Sequence, residues 1–288
     1  MHIVMTGGTS GFGAEASARL ARAGHSLTLS ARQPSADTAQ TRYLPLDLED
    51  LASVDAFAEE GTRGAPIDAL LLNAGLQLAK PERLPNGMEK TFFVNHLAHV
   101  HLLVRLLDAL PDGARVVLTG SGTHDPAEKT PVTPPDHADA RRLAFPETDP
   151  ALPKAARKQA FRAYSSSKLA NIMTARHLAR LRPDLSVMAF DPGYVPWTGL
   201  GRANGRVIAT LASLIVPRLM AGNRSSTVAQ SGGFLAELAT APAYAREQGS
   251  YWSVRTPSLV RIEPSALARD EAATARLWED SLALLGLA

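Results

Sequence analysis

The 288-residue sequence contains no cysteine. Disulfides, thiolate nucleophiles and cysteine-ligated zinc or iron–sulfur centres are thereby excluded, and the composition suits a cytoplasmic protein. A long hydrophobic run is also missing. The longest apolar stretch, residues 207–216, stops at Pro217 and is too short to cross a bilayer. Because Met1-His-Ile-Val-Met-Thr6 already reads as a strand, a cleaved leader is not expected. Neither charge sign dominates: 30 basic residues face 28 acidic ones, for a formal net charge of +2. The arginines are scattered, so no basic patch points to nucleic acid. No internal repeat or low-complexity tract occurs.

What is present is an alternation of strand-like and helix-like segments. Strands are expected at 2–6, 26–31, 43–47, 67–73, 115–120, 186–190 and 250–254, and helices at 13–23, 51–60, 90–110, 164–181, 225–239 and 269–285. Seven strands joined by helical crossovers predict an α/β fold: a doubly wound, Rossmann-type parallel sheet with helices on both faces, in a single domain over 1–288. Ligands of such a sheet sit at the carboxyl ends of its strands. Two segments break the rhythm. Residues 122–160 are rich in Pro, Asp and Thr and read as a long insertion; residues 194–224 read as a substrate lid.

The first strand runs into Thr6-Gly-Gly-Thr-Ser-Gly-Phe-Gly13. Gly7, Gly11 and Gly13 let backbone approach a pyrophosphate, and the helix that follows offers free N–H donors. At the end of the second strand stands Arg32 in place of a carboxylate. A guanidinium suits the forked recognition of a 2′-phosphate, with Ser10 and Ser30 as further donors, so NADP(H) is the expected cofactor. The bland alternative is a solvated surface arginine. Asp47 and Leu48 are placed beside the adenine, and Asn73-Ala74-Gly75 beside the nicotinamide ribose, although Asn73 suits an ordinary turn equally well.

Further along, Tyr164-Ser-Ser-Ser-Lys168 puts a phenol and an ammonium one helical turn apart. Reducing a carbonyl needs hydride at carbon and a proton at oxygen from an acid within hydrogen-bond reach. A free tyrosine titrates near 10, and the Lys168 ammonium is expected to lower that value. Ser121 supplies a second hydroxyl for the developing oxyanion. Asn95 is placed mid-helix, where holding a water that connects Lys168 to solvent accounts for it better than helix propensity does.

These motifs together resemble the short-chain dehydrogenase/reductase family along nearly the whole chain. The resemblance implies cofactor contacts over Thr9, Ser10, Phe12 and the neighbouring glycines, and an Asn95, Ser121, Tyr164, Lys168 catalytic tetrad. It also implies that Lys168 binds the nicotinamide ribose. Asp191-Pro192-Gly193 with Val195 and Thr198 is similar to the family segment that meets the carboxamide. Gly120-Ser121, Tyr164-Ser-Ser-Ser-Lys-Leu-Ala-Asn171 and Gly249-Ser-Tyr-Trp-Ser253 resemble the retinol dehydrogenase and protochlorophyllide reductase branch. The absent cysteine sets the chain apart from pigment reductases.

The expected activity is therefore NADPH-dependent interconversion of a carbonyl compound and its alcohol, on an apolar or aromatic small molecule. The alternatives are reduction of an activated C=C bond and a non-catalytic NADP-binding regulator. Thr123, His124, Tyr194 and Trp197 are the substrate-pocket candidates. His96, His99 and His101 invite a metal, but no acidic partner is evident, and no metal site is expected. Family members often dimerise through the helices carrying Asn95 and Tyr164. The long interval before Tyr164 predicts a monomer, with a dimer as the alternative.

Overall fold

The central strands are apolar on both faces, as buried parallel strands require. Val4, Leu70, Val116 and Val187 lie in one core cluster; Ile3, Leu71, Val117 and Met188 lie in the other, across the sheet. The computed structural model describes residues 1–196 and 224–288. Among the described residues the sheet has eight strands: β1 (His2–Thr6), β2 (Ser26–Ala31), β3 (Thr41–Pro45), β4 (Ala69–Leu72), β5 (Arg115–Thr119), β6 (Ser186–Asp191), β7 (Gln248–Arg255) and β8 (Ser258–Ile262). Their order is β3-β2-β1-β4-β5-β6-β7-β8. The direction of winding reverses between β1 and β4, so the crevice at their carboxyl ends is where a dinucleotide belongs.

The helices are α1 (Gly11–Arg22), α2 (Leu51–Gly61), the short α3 (Lys90–Phe92), α4 (Ala98–Leu106), α5 (Ala140–Ala144), α6 (Ala156–Leu181), α7 (Val228–Thr240), α8 (Ala266–Arg269) and α9 (Glu271–Leu284). Among the described residues no helix is long and apolar enough to cross a membrane.

Four sequence expectations change. The sheet has an eighth strand, because β8 folds back antiparallel on β7 with Arg255 paired to Ser258. Its residues are exposed or half-buried, so no buried apolar run announced it, and Thr256-Pro257 is not a common hairpin turn signal. The third strand sits at 41–45, since Asp47 leaves the strand to accept the Glu49 N–H at 3.0 Å, and Asp50 caps α2 through the Ala52 N–H. The helix expected over 90–110 is interrupted by a π turn, Phe93–Leu97, where Ala98 N–H reaches back to Phe93 O. Finally, the 122–160 insertion is organised: it contains short 3₁₀ turns and α5, and α6 begins inside it at Ala156.

Candidate active site

The strands that lead into sequence candidates, β1 to β6, run parallel and end at the same rim of the sheet. After β1, Gly7 takes φ +69° and Gly11 φ +57°, a region that disfavours side chains. Space is the second constraint: a Cβ on Gly13 would lie 2.1 Å from Gly7 O. The turn is therefore bare backbone leading into α1. Ser10, the N-cap residue, makes no side-chain capping bond, leaving its hydroxyl for a ligand. A cradle that any Cβ would fill, opening on a helix N-terminus, fits a dinucleotide pyrophosphate.

Thr6 fastens this turn to the next strand. Its Oγ1 accepts the Asn73 and Ala74 N–H groups at 2.9 and 3.0 Å. Having accepted twice, the hydroxyl gives its own proton to His99 Nε2 at 3.0 Å, so His99 carries its proton on Nδ1 and donates to Asn95 O at 3.1 Å. Asn73 donates to Gly7 O at 3.1 Å and accepts from Thr119 Oγ1 at 3.0 Å. Arg32 is exposed immediately beyond β2, Ser30 is buried, Asp47 is exposed and Leu48 buried. Gly193 has φ +70°, and Asp191 Oδ1 accepts its N–H at 3.0 Å. Thr198 and Trp197 lie outside the described residues, as does most of the 194–224 segment.

Tyr164 and Lys168 share one face of α6, with Nζ 5.7 Å from the phenol ring centroid. Both are buried, at 8% and 2% exposure. Tyr164 is hydrogen-bonded to Ser121, and Lys168 Nζ donates to Thr119 O at 3.1 Å. The direction of the Tyr164 shift corrects the sequence expectation. Burial pushes the phenol up, the Ser121 bond works against that, and the Asp191 carboxylate adds to it. Burial pulls Lys168 down to about 8, against the raising effect of Asp191. In this state desolvation outweighs any help the amine gives the phenolate.

Asn95 also differs from expectation. Its side chain is committed to protein: Oδ1 accepts Leu76 N–H at 2.8 Å, and Nδ2 donates to Leu76 O at 2.9 Å and Ser167 Oγ at 3.0 Å. It clamps the loop after β4 to α6. Gly75 packs closely beside it: a Cβ there would lie 3.2 Å from Asn95 Oδ1 and 3.4 Å from Lys168 Nζ.

His124 is not at a substrate entrance. It is 2% exposed, donates from Nδ1 to Ser121 O at 2.8 Å and accepts Ser265 N–H on Nε2 at 3.0 Å. With both ring nitrogens occupied, it fastens the turn after Ser121 to the C-terminal segment. Thr123 is half-buried with its Oγ1 unpartnered, and Tyr194 is half-buried. His96 and His99 are interior residues held neutral, each pulled to about 4 by burial, and His101 Nε2 bonds Asp55 at 2.7 Å. Among the described residues Asp136, His137 and Asp149 bring metal-type ligand atoms within 4.8 Å of one another. The Arg162 guanidinium already lies against both carboxylates, at 2.9 and 2.5 Å, and is the cation of that cluster. Sequence reasoning missed Arg162 and the bracing roles of Thr6 and His99, since nothing in their local patterns reveals the distant groups they bind.

A family profile described as short chain dehydrogenase matches residues 1–130. A provisionally named daunorubicin C-13 ketoreductase of Streptomyces sp. (strain C5) is 32% identical over 297 residues, spanning 99% of this chain and 92% of that protein. The protochlorophyllide reductase of Avena sativa is 29% identical over 315 residues, spanning 99% of this chain and all of its own length. The solved structure of an uncharacterised Mycobacterium paratuberculosis protein superposes with a TM-score of 0.71 at 25% identity, covering 99% of this chain and 93% of that one. Similarity of this extent, over a fold whose strand ends gather the motif residues, makes the chain a member of the short-chain dehydrogenase/reductase family of oxidoreductases, resembling its retinol dehydrogenase and protochlorophyllide reductase branch.

Proposed function

We propose that the protein is an NADPH-dependent reductase of carbonyl compounds. The observation that carries this reading is the protonated, Ser121-bonded Tyr164 with Lys168 Nζ 5.7 Å from its ring, at the same sheet edge as the glycine turn. The bound nicotinamide would supply the hydride. Tyr164 holds the proton destined for the carbonyl oxygen, and its raised pKa keeps that proton in place across the neutral range. Ser121 Oγ is the second donor aimed at the same oxygen. Once the proton is given up, the Lys168 ammonium, with Nζ 5.7 Å from the ring centroid, is a charge of opposite sign on the same helix face as the phenolate. Asn95 positions the loop carrying Gly75 so that Lys168 keeps its place. In the oxidative direction Tyr164 accepts the alcohol proton.

For the dinucleotide, Gly7, Thr9, Ser10, Gly11, Phe12 and Gly13 receive the pyrophosphate; Asn73, Ala74, Gly75, Pro192, Gly193 and Val195 border the nicotinamide end. Arg32, exposed and without an ion-pair partner among the described residues, receives the 2′-phosphate. Thr123 and Tyr194 are the described candidates for the substrate wall. NADPH absorbance followed against a panel of ketones, aldehydes and enones tests the reading. Carbonyl-dependent consumption with an alcohol product supports it; saturated products from the enones alone, or binding without consumption, would replace it with the C=C reductase or the regulator. Arg32→Ala is expected to cut the NADPH-over-NADH preference by about tenfold or more, the loss of one charge-assisted contact. An unchanged preference removes Arg32 from the phosphate site.

We also propose a monomer. The C-terminal helix α9 packs against α6 and the π turn that precedes α4, beside the helices that family members often use for dimerisation. Ser281 Oγ lies 3.0 Å from His96 Nε2, and Trp278 stacks on His177 at 5.4 Å. The insertion joins in through Arg141 and Asp280 at 3.0 Å. Light scattering should return the mass of one chain, 30.6 kDa; twice that mass refutes the monomer.

A further inference from the structure

Asn171 lies on α6 three residues beyond Lys168 and is 2% exposed. Its amide nitrogen donates to two backbone carbonyls, Asn95 O and Thr119 O, each at 3.1 Å. Thr119 O is also the acceptor of Lys168 Nζ at 3.1 Å, and Asn95 O also accepts from His99. One side chain thus ties together the π turn, the end of β5 and α6. These three elements carry Asn95, lead into Ser121, and carry Tyr164 with Lys168.

The remaining atoms extend the tie to the C-terminal helix. Asn171 Oδ1 faces His96 Nδ1 at 3.3 Å, and His96 Nε2 faces Ser281 Oγ at 3.0 Å. The proton directions follow from counting donors. With both amide hydrogens given to carbonyls, Oδ1 can only accept, so His96 carries its single proton on Nδ1. Nε2 faces the Ser281 hydroxyl, which also donates to Leu277 O at 2.7 Å. Turning the amide over would set its oxygen against two carbonyl oxygens. A chain of polar contacts therefore runs from Ser281 through His96 and Asn171 to the Thr119 carbonyl beneath Lys168.

We propose that Asn171 is a positioning residue for the reaction: by holding the Thr119 and Asn95 carbonyls it sets where the Lys168 amine stands relative to Tyr164, and through His96 it makes α9 part of that support. The proposal rests on the carbonyl-reductase reading above. It differs from interior adhesive in one respect. Adhesive alone predicts lost stability with unaltered chemistry, whereas a positioning role predicts altered chemistry at preserved binding.

The test is Asn171→Leu in the full-length protein with NADPH, a change that keeps the branched heavy-atom shape and removes both donors. Misplacing the amine by a fraction of an ångström is expected to lower kcat about 10- to 100-fold, with the carbonyl KM and NADPH Kd within about threefold of wild type. The Thr119 carbonyl is then shared with no second donor, so Lys168 should titrate higher, by about half a unit or more, in NMR of protein labelled at lysine Cε. The pH profile of kcat should move with it. Should the leucine variant not fold, Ser281→Ala, which removes the hydroxyl that faces His96 Nε2 and Leu277 O, should lower kcat about three- to tenfold with the same KM and Kd. A folded variant with wild-type kcat and pH profile overturns the proposal, as does a fall in kcat accompanied by equal losses in NADPH binding. If the wild-type protein reduces no carbonyl compound, the functional reading fails separately. The Lys168 titration then decides alone whether Asn171 governs the amine: a shifted titration supports it and an unshifted one sinks it.

Discussion

Tyr164→Phe is expected to lower kcat about 10³- to 10⁴-fold, the range that a positioned general acid contributes, while NADPH Kd stays within about threefold. The ring is 8% exposed and packed, so phenylalanine fills the same space and the fold has little reason to respond. What disappears is the one proton that burial and Asp191 hold on the phenol, together with its bond to Ser121. Ser121 Oγ keeps the Thr123 N–H at 3.3 Å, so the oxyanion side of the site survives. Stopped-flow measurement of NADPH oxidation under single-turnover conditions isolates the affected step. A variant retaining more than about a tenth of wild-type kcat would mean that another group, Ser121 foremost, supplies the proton, and the assignment of Tyr164 would be withdrawn.

The second large effect concerns the insertion. Arg162 sits two residues before Tyr164 with its side chain 5% exposed, and its Nη2 lies 2.5 Å from Asp149 Oδ2, whose side chain is 1% exposed. Nη1 adds Asp136 at 2.9 Å and Ala151 O at 3.0 Å. Burial works against the charge of Asp149, but the Ala151 N–H, His137 and the Arg162 guanidinium prevail and hold its carboxyl below the usual range. Arg162→Ala would strand that carboxylate, and removing one member of a buried pair costs about 3–5 kcal/mol. The melting temperature should fall by about 10 °C, and proteolysis should open the chain within 122–155. Replacing both partners by apolar residues, Arg162→Met with Asp149→Leu, should recover most of the loss. The sign of the pH dependence is fixed by the lowered carboxyl. Its contribution is complete above the unfolded value of about 4 and fades as pH falls through the folded one. The single variant should accordingly show a shallower acid limb of stability. A single variant within about 1 kcal/mol of wild type would show that the insertion is held by its other contacts, such as the Ser165 hydroxyl on Thr133 O at 2.6 Å.

Much of the fold was legible because its signals are local. Buried parallel strands read as short apolar runs, and all seven expected strands appear within about two residues of their observed ends, β3 beginning and ending two residues early. The eighth strand was not legible: on a half-exposed edge neither face needs an uninterrupted apolar pattern. The insertion looked structureless because proline and aspartate are usually loop residues. Its order comes from partners far along the chain, the α6 guanidinium and the α9 carboxylate.

The candidate site divides along the same line. Gly13 could be recognised from spacing, since strand, turn and helix in succession leave little choice at that position. The Tyr164–Lys168 pair could be recognised because helical periodicity alone sets them on one face. By itself, then, the sequence determined the sheet class, the glycine turn and the phenol–amine pair, all consequences of spacing within one or two adjacent elements. Only the tertiary structure decided which state each group is in: that burial raises the Tyr164 phenol, that His124 is spent on Ser265, and that Thr6, His99 and Asn171 brace the Asn95 turn. Those outcomes depend on desolvation and on hydrogen bonds between residues tens of positions apart, and neither quantity exists until the chain has folded.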